Sequence, residues 1–119
     1  MKKYLSGNIS EADWQNTVID LARLGKWRCA HFRSVRVQRK DGSVYYQTPV
    51  QADGAGYPDL CMVKGNRLIY AELKREGGKA TSEQIEWLEA LSKVPGVECY
   101  IWEPSDYEDV KWILLGGIK

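Results

Sequence analysis

Three ionisable side chains stand inside two otherwise apolar runs. One run begins Gly56-Tyr57-Pro58-Asp59-Leu60 and continues to Val63; the other extends from Arg67 to Leu73 and ends at Lys74. Together they spell Pro-Asp, twelve intervening residues, then Glu-x-Lys. Gly65-Asn66 between the runs predicts a tight turn, so the segment reads as strand, turn, strand. Burying Asp, Glu and Lys in strands is costly unless they pair or hold a metal. Side chains alternate along a strand, so Glu72 and Lys74 share one face, and Ala71 and Leu73 take the other. Antiparallel pairing would bring Asp59, Glu72 and Lys74 together at one end of the hairpin.

Two convergent carboxylates suit a hard cation such as Mg2+, with the Leu73 carbonyl as a further oxygen donor. Such a cation polarises a phosphoryl oxygen and lowers the pKa of a water, which is the chemistry of phosphodiester hydrolysis. Lys74, a compact point charge, could either orient the attacking hydroxide or offset charge on the phosphate. A lone Glu-x-Lys is a weak signal, and the strand-turn-strand setting strengthens it. A plain Asp–Lys or Glu–Lys ion pair at a strand end is the alternative.

Composition bounds the rest. The 119 residues make one domain, 1–119, and an ordinary 44% hydrophobic content beside 28% charged residues argues against disorder. No run approaches a membrane span, and Met1 to Gly7 lacks the apolar stretch of a secretory signal. Cys29, Cys61 and Cys99 are far apart and His31 is the sole histidine, so a zinc site is not expected. The cysteines read as small core residues in a reducing cytoplasm. Net charge is +1, yet Arg23, Lys26, Arg28, Arg33, Arg36, Arg39 and Lys40 follow one another without an acidic residue between them. This asymmetry suggests either a basic face along a phosphate backbone or merely a solvated hairpin.

The elements that must position the trio are legible. Ser10-x-x-Asp13 opens a helix with Trp14, Val18, Leu21 and Ala22 as its apolar stripe, Ile9 as a staple and Gly25 as its end. Glu11 falls in the first turn near the buried side, where it also suits the helix dipole. A strand follows from Trp27 to about Arg33. Val35 to Lys40 and Ser43 to Gln47 form a hairpin about a two-residue Asp41-Gly42 turn. Its Arg36, Arg39, Lys40, Tyr45 and Tyr46 could reach phosphates and bases, or be ordinary strand residues. Thr48 to Tyr57 is read as a flexible loop that could order on substrate or metal, and Asp53 could be an extra ligand, although turn chemistry alone accounts for Asp53-Gly54. Arg75 and Lys79 lie in a loose connection, available to phosphate or simply solvated. Thr81-x-x-Gln84 caps a helix with Ile85, Leu88 and Leu91 inward and Trp87 in the core. Val97 to Trp102 is a strand, and Ser105-x-x-Glu108 caps a last helix stopped by Gly116-Gly117. Without the hairpin the order is helix, three strands, helix, strand, helix, which predicts an α/β fold with a mixed sheet flanked by helices.

The pattern resembles the PD-(D/E)xK nuclease superfamily, and within it the VRR-NUC (virus-type replication-repair nuclease) branch. The likeness rests on Glu11 with Gln15, Trp27-Arg28, His31-Phe32-Arg33, Thr48-Pro49, Gly56 to Leu60, Ala71 to Lys74, Gln84 with Trp87-Leu88, and Tyr100 to Asp106. It spans nearly the whole chain, with Tyr57 where Phe is common. It is similar to the short single-domain phage and prophage members. The resemblance implies a restriction-endonuclease-like core (αβββαβ) with an inserted hairpin. It implies Asp59, Glu72 and the Leu73 carbonyl as ligands of Mg2+ or Mn2+, and Lys74 as the residue that activates water. It adds Glu11 as a third acidic group, direct or through water, and makes Gln84 either a hydrogen-bonding site residue or a pure cap. It implies an endonuclease acting on DNA, branched forms such as four-way junctions included, as a homodimer in the cytoplasm of a bacterial host. Arg33, Arg36, Arg39, Lys40, Arg75 and Lys79 are the candidate DNA contacts. A nuclease of other specificity, a non-catalytic DNA-binding module and a structural subunit are the rival expectations.

Overall fold

The computed structural model describes residues 9–32, 35–47 and 50–116. Expectations for Met1 to Gly7, Arg33, Thr48, Pro49 and Gly117 lie outside the described residues. Helix α1 spans Glu11–Leu24, with the Ser10 hydroxyl accepting from the Asp13 N–H at 3.1 Å. Trp14, Val18, Leu21 and Ala22 are buried, and Ile9 packs against the same core. The helix ends at Gly25, but the left-handed residue is Lys26, at φ +70°. Gly25 itself is required for space: a Cβ there would stand 2.1 Å from the Leu114 carbonyl oxygen. The Trp27 indole N–H donates to that same carbonyl at 2.9 Å, tying the segment after α1 to the C-terminal segment.

The central sheet has the order β1-β4-β5-β6, from Arg28–His31, Leu60–Lys64, Arg67–Leu73 and Val97–Trp102. β1, β4 and β5 are antiparallel neighbours, and β6 joins β5 in parallel, so the sheet is mixed. The β4–β5 turn is the expected Gly65-Asn66 pair, with Gly65 at φ +60°. β2 (Val35–Gln38) and β3 (Val44–Gln47) form a separate two-stranded sheet, the inserted hairpin. Its loop has three residues, Lys40 to Gly42, where two were expected. The Arg39 N–H bonds the Ser43 carbonyl at 2.8 Å, and Gly42, at φ +91°, closes the turn back to the Arg39 carbonyl at 3.0 Å. The Asp41 carboxylate accepts from the Ser43 N–H and hydroxyl at 2.9 and 2.7 Å, which draws Lys40 into the loop.

Between them, α1 and the C-terminal segment cover one face of the sheet. Trp14, Leu60, Met62, Ile69 and Leu73 meet there without exposure, each contributing about 1.5–3 kcal/mol by burial. The Trp14 indole donates to the Trp102 carbonyl at 3.0 Å, fixing α1 against the end of β6. Helix α2, Ser82–Ser92, packs beside β6 with only Leu88 buried. Ile85 is exposed and Leu91 half-buried, because this helix rests on a sheet edge and not over a closed core. The final segment is a 3-10 turn at Pro104–Asp106, then α3 (Tyr107–Lys111) and a π turn at Trp112–Gly116. Its cap is the Asp106 carboxylate on the Glu103 N–H at 2.9 Å, and not Ser105, whose N–H bonds Glu76 Oε1 at 3.0 Å. All three cysteines are free and half-buried, less enclosed than core residues would be. No helix is long and apolar enough to cross a membrane among the described residues.

Gly25→Ala is expected to lower stability by about 1–3 kcal/mol, because backbone and not a flexible side chain must yield. Urea unfolding checks it: an unchanged midpoint would show that the Leu114 carbonyl moves freely.

Candidate functional site

Asp59 immediately precedes β4 and extends its pairing by one step on both sides. Its carbonyl accepts from the Phe32 N–H at 2.9 Å, and its carboxylate Oδ2 accepts from the Leu73 N–H at 2.9 Å. One step beyond the Leu60–Ala71 pair, it stands across from Glu72. Ala71 and Leu73 face the core, which turns Glu72 to the opposite sheet face. Glu72 is 2% exposed, the one buried charged residue in the described core.

What lies over Glu72 is the N-terminus of α2. The Gln84 side chain is used at both ends: Oε1 accepts from the Thr81 N–H at 2.8 Å, and Nε2 donates to Glu72 Oε2 at 2.8 Å. Gln84 is therefore both the cap and a site residue. Lys74 Nζ lies 3.5 Å from the same Oε2, and its backbone N–H is tied to the Trp102 carbonyl at 3.0 Å. Oε1 of Glu72 is buried with no hydrogen-bond partner.

Contacts from α2 and from neighbouring aromatic rings bear on the loop before Asp59 at three points. Gly56 sits at φ +85°, and a Cβ there would fall 2.6 Å from the Glu83 carbonyl carbon and 2.8 Å from the Gln84 nitrogen. The Trp87 indole donates to the Asp53 carbonyl at 2.9 Å, so half-buried Trp87 clamps the loop instead of filling the core. The Tyr57 ring makes edge contacts with Phe32, Tyr70 and Trp87 at 5.5, 5.7 and 5.0 Å between centroids. Residue types alone did not reveal these three supports. A Gly two residues before Pro-Asp and a Trp three residues after Gln84 were their only signals in the sequence.

Glu11, Asp59, Glu72, Lys74 and Gln84 all line one cavity of about 510 Å3. Glu11 is exposed, not near the buried side as its helical position suggested, and reaches the cavity from the first turn of α1. Among the described residues no three His, Cys, Asp or Glu side chains are gathered closely enough to hold a metal, so Glu11 stands apart from the Asp59–Glu72 pair. Asp53 does not line this cavity, in keeping with a turn role. Arg36, Arg39 and Lys40 are exposed on the hairpin and its loop, away from the cavity wall. Arg39 lies over the Tyr45 ring at 4.1 Å. Arg75 and Lys79 are exposed in the connection after β5.

Burial, and then the charge of Asp59, push the Glu72 carboxyl up to about 8, against the opposing pull of Lys74. Two carboxyls crowded together, one with an orphaned buried oxygen, form a donor set that fits a hard divalent cation. The added positive charge would relieve both the repulsion and the missing partner.

No family model, no curated protein and no solved structure matches this chain.

Because the folded protein binds the Glu72 proton more tightly than the unfolded chain, stability from this group is full below the unfolded carboxylate pKa. It is lost as pH rises toward about 8. In EDTA, wild type should lose roughly 2–4 kcal/mol more than Glu72→Gln between pH 5 and pH 8, as the neutral amide removes the buried charge. Parallel urea midpoints for the two proteins across that range would contradict the assignment.

Proposed function

We propose that this protein is a divalent-metal-dependent DNA endonuclease. The observation that carries the proposal is the buried, half-satisfied Glu72 carboxylate beside Asp59, with the Lys74 ammonium 3.5 Å from its other oxygen. A strand-end ion pair alone would leave no reason for a second carboxylate there or for an unpaired buried oxygen. The sequence resemblance to the VRR-NUC branch of the PD-(D/E)xK superfamily, and a mixed sheet with αβββαβ order around a hairpin, support the same reading.

In this reading Asp59, Glu72 and the Leu73 carbonyl would hold Mg2+ or Mn2+, and Glu11 would act on that centre through water. Bound there, the ion supplies Lewis-acid charge at the scissile phosphate and acidifies a water. Lys74 orients the attacking water and offsets charge as the phosphorane-like transition state forms. Gln84 keeps Glu72 aimed, because its own amide is fixed by the Thr81 cap. Asp59 is likewise held by the Leu73 N–H, so neither carboxylate must reorganise during turnover. The basic hairpin, with Arg36, Arg39 and Lys40, would follow the phosphate backbone, and Arg33, Arg75 and Lys79 are further candidate phosphate contacts. A homodimer would set two such sites about a two-fold axis, which suits paired nicks in a branched substrate such as a four-way junction. The reading places the protein in a bacterial host cytoplasm.

Labelled four-way junction, flap and plain duplex, each with Mg2+, Mn2+ or EDTA, provide the test. Metal-dependent cutting by wild type is expected to vanish in Asp59→Ala. Intact DNA with every metal, while binding persists, would replace the nuclease with a binding module. Lys74→Ala is expected to keep metal and DNA binding and to lose turnover by about 10²-fold or more. An equal loss of binding would remove Lys74 from the chemistry.

A further inference from the structure

We infer that Phe32 is the platform on which a nucleobase next to the scissile phosphate stacks. The proposal rests on the nuclease reading and names what the apolar half of the same cavity recognises. The sheet register carries it. Phe32 follows the His31–Leu60 pair and donates its N–H to the Asp59 carbonyl, so Phe32, Asp59 and Glu72 form a row across three neighbouring strands. Residues opposed in antiparallel strands project to the same face, with Cβ atoms about 5 Å apart. The aromatic ring therefore stands one strand from the carboxylate pair, and both line the cavity.

The wall is divided by chemistry. Asp59, Glu72, Lys74 and Gln84 make a polar side, while Phe32, Val50 and Tyr57 make an apolar one. Phe32 is 42% exposed and Val50 49%, so both offer apolar surface to the cavity. Phe32 is nonetheless not loose. Its ring leans edge-on at 5.5 Å against Tyr57, which is wedged against Tyr70 and Trp87 and bonded through its hydroxyl to that of Tyr70 at 3.2 Å. A half-exposed aromatic ring, braced by an edge contact beside the proposed metal centre, is an arrangement that can stack a base, since every base offers a π-face. The partner must be unstacked, because bases inside an intact duplex have both faces covered. The favoured substrate thus carries an unpaired or frayed nucleotide at the cleavage position.

The test uses the full chain and a single-stranded oligodeoxynucleotide carrying 2-aminopurine, with Ca2+ replacing Mg2+ to hold it uncut. Wild type and Phe32→Tyr are expected to quench the probe on binding; Phe32→Leu, which keeps apolar bulk without a ring, is not. In Mg2+, Phe32→Leu should weaken cleavage of the single strand on the order of tenfold through KM, with Phe32→Tyr restoring it. Thermal melting should be unchanged in both variants. Wild-type quenching and KM in Phe32→Leu, with metal-dependent cleavage intact, would overturn the platform and leave the nuclease standing. Absence of metal-dependent cleavage in wild type would overturn the nuclease reading and the platform with it.

Discussion

The Glu72 carboxylate, buried in the central strand β5, is the constraint on which the rest of the site depends. Without exposure to water it must be served by the protein, and two groups from different elements reach one of its oxygens. Gln84 arrives from the helix N-terminus and Lys74 from the strand end. The second oxygen is left without a partner. Such an arrangement stores unfavourable electrostatics in the folded state, which a protein retains where the site needs it and offsets elsewhere. Here the offset is the apolar layer directly beneath, where Ala71 and Leu73 on the same strand pack against α1 without exposure.

Positioning passes through main-chain groups more than through side chains. Asp59 is braced by the Leu73 N–H, Lys74 by the Trp102 carbonyl, and Gln84 by Thr81. The Trp102 carbonyl also receives the Trp14 indole, so the first helix, the last strand and the end of β5 meet at one acceptor. Gly56 completes the frame by allowing the loop before Asp59 to touch the backbone of Glu83 and Gln84. A side chain there would separate the helix that carries Gln84 from the strand that carries Asp59.

Beyond the cavity, the molecule divides into a packed half and a more open one. One sheet face is sealed by α1 and the C-terminal segment; the other is covered beside β6 by α2, leaving Val63 and Ile101 exposed. Among the described residues the hairpin strands pair with each other, and Arg36, Arg39 and Lys40 are exposed.

Local pattern determined much of this. Alternation placed Glu72 and Lys74 away from the core, Gly65-Asn66 set the β4–β5 register, and that register alone brought Asp59 to the same end. The capping motifs located α1 and α2 because they depend on residues three apart. Features that join distant segments were decided only by the tertiary structure. Gln84 reads as a cap in its own helix, and its second bond exists because α2 packs beside the end of β5. Glu11 reads as lying near the buried side of α1 by helical position but is exposed, on the wall of the cavity. Ile85 has the spacing of a core residue and is exposed, because α2 meets an edge. Trp87 became a clamp on the Asp53 carbonyl, and Phe32 an open ring beside Asp59. Periodicity reports which face a residue shares with its neighbours; what that face meets is a matter of packing between segments that the local pattern does not encode.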